Sequence, residues 1–159
     1  MDQASLYGLT RATTSGLLTA TGAETVYDTT VAIAFAIGGK AYSKAAITSG
    51  VTPLVDGNGT TLTTLTANQG CVLVWCLNAA GTVSVFQGSI EDLDSAGNFI
   101  NASDFPTIDL LTYCPFAYQV LKAGSTAGTI TIGSSNWNAT GFTNVIVNVH
   151  ALPARPQTS

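Results

Sequence analysis

The most apolar strand pattern in this 159-residue chain is Cys71-Val72-Leu73-Val74-Trp75-Cys76-Leu77. A strand with one face in water alternates apolar and polar side chains, so an unbroken apolar run indicates a strand that is covered on both faces. We therefore predict a central strand at 71–77. The turn Asn78-Ala79-Ala80-Gly81 follows it, and an alternating pattern resumes in Thr82-Val83-Ser84-Val85-Phe86-Gln87, which predicts a second strand.

The clearest hairpin signal lies upstream of that strand. Alternate residues from Val31 to Ile37 are large and apolar, and the residues between them are alanines, which is the pattern of a strand with one large apolar face. The next two residues are Gly38-Gly39, which adopt positive φ at little cost, and Lys40-Ala41-Tyr42 begins a return strand. We predict a hairpin with a two-residue turn.

The rest of the chain also carries short strand patterns, at 116–121, 128–132 and 145–152. Upstream of these strands, Phe105-Pro106 and Cys114-Pro115 are expected to break the stretch that follows Ile100 into short pieces, because the residue before a proline avoids the α region. Short helices are allowed near 43–49, but no segment sustains a helical period for three turns. The prediction is an all-β fold, an antiparallel β-sandwich or jelly roll, with a small barrel as the other architecture of this type.

The length suits a single domain. We expect an N-terminal arm or docking segment at 1–22, a β-core at 23–152 and an extended tail at 153–159. The apolar side chains of the first segment need burial, either in a wall of the core or against a neighbouring molecule, and the tail is extended because of its prolines. The residues predicted to contact neighbours are Leu6, Tyr7, Leu9, Leu17, Leu18, Pro153 and Arg155.

Charge is scarce in this sequence. Charged residues make up 9% of the chain, with Lys+Arg 5 and Asp+Glu 9, against about 25% in typical soluble domains. Five cations cannot neutralise the phosphates that a general nucleic-acid binder covers, so we expect no nucleic-acid partner. The longest apolar run, 31–37, is too short to cross a bilayer, and the N-terminus has neither the basic nor the apolar region of a signal peptide. We expect no membrane partner.

A surface with few ions is inexpensive to cover. A standard interface buries about 800 Å² per partner, and on this chain such a patch desolvates one or two charges instead of the four or five of an ordinary domain, each costly unless paired. Low charge also favours association of the free monomer. The composition therefore predicts a subunit that works in an assembly.

The cysteines and the single histidine do not form a recognisable site. Cys71 and Cys76 lie five residues apart on one strand, so their side chains point to opposite faces, and a bond from either to Cys114 is left open. We interpret all three as small buried side chains in a reducing compartment. His150 lies in an alternating strand and is interpreted as structural. We expect no catalytic residue, metal or cofactor.

Two other features could carry a function. A small hydrolase would draw its acid–base pair from the carboxylates of Glu91, Asp92, Asp94, Asp104 and Asp109. Trp137 lies between Asn136 and Asn138 in a polar loop, so it is the candidate for an exposed platform that binds a sugar.

Four short stretches resemble small head proteins of tailed bacteriophages, the capsid decoration (cement) proteins and related head accessory proteins. They are Phe35-Ala36-Ile37-Gly38-Gly39-Lys40-Ala41-Tyr42, Ala67-Asn68-Gln69-Gly70-Cys71-Val72-Leu73-Val74-Trp75, Gln87-Gly88-Ser89-Ile90 and Gly133-Ser134-Ser135-Asn136-Trp137. The resemblance spans roughly residues 30–155 and concerns the overall residue composition and short sequence stretches. It implies a β-sandwich or jelly-roll subunit that forms dimers or trimers on the outer shell and clamps neighbouring major capsid proteins.

The sequence therefore predicts a non-enzymatic virion structural protein that binds and stabilises the major capsid protein. It would be made in the host cytoplasm and located on the outer capsid surface. A phage fibre, spike or host-adsorption module that binds a surface glycan is the alternative, and a small hydrolase is the third hypothesis.

Overall fold

The computed structural model describes residues 9–23 and 25–158, and none of these residues is helical. Within that part of the chain no helix is therefore available to cross a membrane. Leu6 and Tyr7 lie outside the described residues. The strands are β1 Arg11–Ala12, β2 Leu18–Thr19, β3 Val26–Thr29, β4 Ile33–Ile37, β5 Lys40–Lys44, β6 Ile47–Val51, β7 Gln69–Asn78, β8 Val83–Gln87, β9 Glu91–Asp92, β10 Tyr113–Ala123 and β11 Phe142–Asn148.

The large sheet is antiparallel, with the strand order β11-β10-β7-β8, and β9 pairs with the start of β7. β7 lies between β10 and β8, so the prediction of a central strand is confirmed. Its side chains alternate between two separate cores: Leu73 and Trp75 enter one, and Val72 and Val74 enter the other. Because both faces are covered, the strand needs no polar side chain on either of them.

β1 to β6 form two three-stranded sheets, β1-β4-β5 and β2-β3-β6, whose strands continue one another as a bent meander and make up a second layer. Arg11 pairs with Ala36 and Leu18 pairs with Thr29 in one continuous register, so β1 and β2 are two parts of one strand alongside β3 and β4. In the same way β5 and β6 follow the other side of β4 and β3. The meander packs on the large sheet, so the described chain is an all-β fold of three antiparallel sheets, an arrangement consistent with a β-sandwich.

The predicted hairpin is confirmed between β4 and β5. Ile37 pairs with Lys40, and the two glycines between them have φ values of 55° and 83°. Positive φ at both central positions is the geometry of the tight hairpin turn whose twist matches that of the strands.

The core between the two layers is built around Trp75. The ring of Tyr27, from the meander, lies 4.8 Å from the Trp75 ring, and the ring of Trp137 lies 6.4 Å from it. The Trp75 indole N–H donates to Oε1 of buried Gln119 at 3.1 Å. The indole N–H is therefore satisfied by a partner on the neighbouring strand, whereas Nε2 of Gln119 is buried with no hydrogen-bond partner among the described residues.

The outer face of the large sheet is covered by irregular chain and not by another sheet. Phe99, Phe105 and Ile108, from the segment between β9 and β10, pack on this face together with Leu152, which follows β11. The Phe105 ring contacts the Tyr118 ring edge-on at a centroid distance of 5.2 Å. The second core therefore depends on long loops, which explains why the apolar run of β7 has no polar face.

The expectation of an N-terminal arm is wrong for residues 9–22. Ala12 and Leu18 are 1% and 2% exposed and belong to the core between the layers. Between them, the N–H groups of Thr13 and Thr14 both donate to the carbonyl of Ala34. This segment is the first strand of the meander. Its apolar side chains are therefore buried in a wall of the core and not against a neighbouring molecule.

Three predictions about strands also need correction. Pro115 does not interrupt the chain but lies inside β10, where the register shifts between Pro115 and Ala117, and such irregular positions tolerate a residue without an N–H. The segment 128–132 forms only an isolated bridge between Ile130 and Leu65. The segment 43–49 contains strand residues of β5 and β6 instead of a helix.

Candidate interaction surface

Trp137 is not an exposed platform, so that prediction is wrong. Its side chain is 3% exposed and its indole N–H donates to the carbonyl of Val26 at 2.9 Å. The ring also stacks on Phe142 at 6.5 Å. The loop around it is polar because Asn136 and Asn138 face outward, while the large ring turns into the gap between the layers.

Two of the five candidate carboxylates, those of Asp94 and Asp109, take part in local turns. Asp94 and Asp109 each bind backbone N–H groups in their own turns, and these hydrogen bonds lower the pKa of Asp94. The pKa of Asp109 is lowered mainly because its carboxylate accepts a hydrogen bond from the Thr112 hydroxyl. A general acid needs a raised pKa, so both carboxylates fit turn formation better than catalysis. Among the described residues no three His, Cys, Asp or Glu side chains lie close enough to hold a metal ion.

The three cysteines are buried and unbonded. Cys71 and Cys76 lie in different cores, on opposite faces of β7 as predicted. Burial raises the pKa of Cys71 to about 11 and that of Cys114 to about 12. Thiols with such pKa values are protonated at neutral pH and are poor nucleophiles.

The residues predicted to contact neighbours fall into different environments. Leu9 and Leu17 are 42% and 48% exposed, whereas Leu18 belongs to the core. Pro153 and Arg155 are exposed on the tail. Beyond them the tail returns to its own domain, because the N–H of Gln157 donates to the Tyr118 hydroxyl at 3.1 Å.

Two edges of the sandwich are covered by the chain itself. At β8, the segment 56–63 lies alongside: the N–H of Gly57 donates to the Val85 carbonyl, and the Gln87 amide exchanges hydrogen bonds with the backbone of Thr63. At β11, the first strand of the meander lies alongside. There the Ala12 N–H donates to the His150 carbonyl at 2.8 Å, and the N–H on Nδ1 of that histidine donates back to the Ala12 carbonyl at 2.9 Å.

The third edge is open. We call residues 40–51 the open edge: they comprise β5 and β6, which pair with β4 and β3 on one side and with no other described strand on the opposite side. In a hairpin with a two-residue turn, Ile37 and Lys40 share ladder hydrogen bonds, so the N–H groups of Ala41 and Ser43 point away from β4. An unpaired row of this kind is a template for another strand.

The open edge is cationic and contains no acidic side chain. Lys40 and Lys44 lie on the same face of β5, and the Lys40 ammonium lies 5.5 Å from the centre of the Tyr42 ring. Near its other end the register shifts, and the Asp28 carboxylate accepts a hydrogen bond from the N–H of Ser49, which has a φ of 52°. Lysines and bulges on an edge oppose indiscriminate pairing, so the edge favours a partner strand with matching charge and shape.

Sequence reasoning missed the open edge. The signal was present, since two lysines four residues apart in an otherwise neutral strand mark an edge. Which strands are paired on one side only, however, depends on the three-dimensional packing.

No protein-family model, curated protein or solved structure matches this chain. The resemblance to phage head proteins therefore stays a prediction.

Proposed function

We propose that this protein is a non-enzymatic structural subunit of a virion, a capsid decoration protein that binds and stabilises the shell of the major capsid protein. The observation that carries the proposal is the open edge on a sandwich with a nearly neutral surface. Backbone groups of the edge supply affinity by adding a strand from the partner, and the neutral surface around it is covered at low electrostatic cost.

The density of charged side chains on the surface gives the electrostatic cost of burying an interface. The accessible surface is 7665 Å² and the chain has Lys+Arg 5 and Asp+Glu 9, which gives roughly 550 Å² per charged side chain. A patch of about 800 Å² on each partner thus covers one or two ions. Such a subunit contacts several neighbours in a shell without a large penalty for unpaired buried charges.

The fibre or adsorption hypothesis loses its motivating observation, because Trp137 is buried and its indole N–H is already bonded. The hydrolase hypothesis is weakened at two of its five carboxylates, because Asp94 and Asp109 serve local turns. Neither is proposed as a second function.

The first test is the protein content of purified virions. Quantitative mass spectrometry should find this chain at a fixed stoichiometry to the major capsid protein, and capsids purified without it should bind the recombinant chain. Absence of the chain from mature particles refutes the proposal.

The second test locates the contact. Ser43→Pro removes an N–H that points away from β4, so it should reduce capsid occupancy more than tenfold while the domain stays folded. The control is Ser125→Pro, at the second position of a turn closed by the Ala127 N–H and the Gly124 carbonyl, where proline is favoured. Equal occupancy for the two variants would exclude the open edge as the contact.

A further inference from the structure

One end of the sandwich contains an open groove of about 520 Å³, a volume within the usual range of ligand pockets. We call it the tip groove; it lies between the tip of the β4–β5 hairpin, the turn after β7 and the chain just before β10. The ring of Tyr42 and the side chains of Ile37 and Leu111 supply its apolar lining. Leu111 is 38% exposed, so the groove presents apolar surface to solvent.

The tip groove adjoins the open edge through side chains of β5. Lys40 and Tyr42 belong to that edge and also line the groove. Tyr42 pairs with Phe35, which is 2% exposed, so Tyr42 and Lys40 face the core side of the strand, whereas Ala41 and Ser43 face away from it. Opposite residues on neighbouring strands share a face. A strand that bonds to the free backbone groups of Ala41 and Ser43 would therefore direct alternate side chains toward the groove.

Two cations flank the tip groove. Lys40 lines it, and the Lys44 side chain, on the same face of β5, reaches the turn after β7, where a Cβ on Gly81 would lie 3.3 Å from Lys44 Cδ. None of the described residues that line the groove is acidic. A segment docked beside β5 is therefore favoured by a carboxylate on this face and disfavoured by a cation.

We propose that β5 and the tip groove together bind an extended segment of the partner protein by strand addition. A large apolar side chain of the segment enters the groove, and a carboxylate two residues along the same face lies beside the lysines. Backbone hydrogen bonds to Ala41 and Ser43 hold the segment, and the groove selects it. The ion pair sets the register and adds little affinity, because it stays exposed to solvent. The inference rests on the proposed function for the source of the segment, the major capsid protein.

A second copy of this chain does not supply the complementary segment. The open edge contains no acidic side chain, so pairing β5 with β5 of another copy would bring four lysines to one joint. Like charges on neighbouring strands are destabilising. Charge complementarity thus assigns the groove to a different partner chain.

The direct test titrates the full-length chain with synthetic peptides. The probes are the capped peptide Thr-Thr-Phe-Thr-Glu-Thr-Thr and its reverse, Thr-Thr-Glu-Thr-Phe-Thr-Thr, which cover both strand directions. At millimolar peptide, one of them should shift the NMR amide signals of Ala41, Ser43 and Ala79 in the isotope-labelled chain. Replacing phenylalanine by serine in that peptide should weaken binding about tenfold or more, because the burial of a large apolar side chain is lost.

The variant Ala80→Trp separates the groove from the edge. Ala80 is exposed, lines the groove and lies in the turn after β7, so the indole should fill the groove and weaken binding of the phenylalanine peptide about tenfold or more. Binding of the serine peptide should not change. The matched control is Ala96→Trp, at the same position of an equivalent turn. The Ala80 N–H donates to Oδ1 of Asn78 at 3.0 Å, and the Ala96 N–H donates to Oδ1 of Asp94 at 2.9 Å.

The inference is wrong if neither peptide shifts Ala41 and Ser43, if the serine peptide binds as well as the phenylalanine peptide, or if the two tryptophan variants bind equally. Signals of Ala41 and Ser43 that shift with protein concentration alone would assign the edge to a second copy and equally overturn it. Capsid pelleting separates this inference from the proposed function. Equal capsid binding by the wild-type chain and Ala80→Trp refutes the role of the groove alone, whereas a wild-type chain that binds the peptide but no capsid refutes the proposed function.

Discussion

At the scale of single residues, the indole of Trp137 is the side chain whose environment differs most from its sequence context. Its neighbours in sequence are asparagines, but its neighbours in space are Trp75 and Phe142. The polarity of the two asparagines shows that they face solvent. It gives no information about the Trp137 ring, which faces the opposite way. The buried position of Trp75, by contrast, was predictable, because every adjacent residue in β7 is apolar.

Replacing Trp137 tests this environment. Trp137→Ala should lower the free energy of unfolding by about 3–5 kcal/mol, because it leaves a cavity between the layers. Trp137→Phe keeps most of the ring but loses the hydrogen bond to the Val26 carbonyl, so its cost should be smaller. Urea denaturation followed by circular dichroism measures both. A loss below about 1 kcal/mol for the alanine variant would mean that the ring lies outside the core.

The buried thiol of Cys71 should make the free energy of unfolding depend on pH in the alkaline range. Burial raises the pKa of Cys71 to about 11 from its ordinary value of 9.0, so the folded state favours the neutral thiol. The stabilising contribution is complete below the unfolded pKa near 9 and is lost as pH rises through about 11. The free energy of unfolding should fall over this range, and less steeply in Cys71→Ala. Parallel curves for the two proteins would show that Cys71 carries none of the dependence.

At the scale of elements, adjacent leucines distinguish a core strand from a free arm. Leu18 is 2% exposed and Leu17 is 48% exposed. Leu18→Ala should cost about 2–5 kcal/mol of unfolding free energy, and Leu17→Ala should change it by no more than about 0.5 kcal/mol. Thermal and urea unfolding of the two variants compares the same substitution at neighbouring positions. Equally small effects would restore the arm interpretation for this segment.

The β4–β5 turn depends on glycine at its second position. Gly39 has a φ of 83°, so Gly39→Ala should destabilise the fold by about 1 kcal/mol or more. Gly128 is the matched control, since its φ is not positive and a Cβ there meets no atom within 4 Å. Gly128→Ala should be neutral or slightly stabilising. A larger loss in Gly128→Ala than in Gly39→Ala, measured by urea unfolding, contradicts this assignment of the turn.

Sequence periodicity predicted the elements whose signal is local. β7 and the β4–β5 hairpin follow from an apolar run and from two glycines that separate strand patterns, and both need no knowledge of distant residues. The segment 128–132 alternates just as clearly, yet it forms a single bridge through Ile130, because Leu65 is the one residue opposite it. The role of the first strand could not be predicted either. Its apolar residues are compatible with burial in the core or against a partner, and only the register with β3 and β4 distinguishes the two.

At the scale of the whole molecule, the scarcity of charge makes a prediction about salt. With roughly 550 Å² of surface per charged side chain, from 7665 Å² in total, an interface of standard size contains few ions, so screening has little to act on. The affinity for capsids, or of the chain for itself, should change less than about threefold between roughly 0.05 and 1 M NaCl. Sedimentation velocity and capsid pelleting measure it. Lys40→Gln with Lys44→Gln is the control, because removing both cations should abolish whatever salt dependence remains. A loss of affinity above tenfold in salt would mean that the lysines of the open edge, and not its backbone, supply the binding.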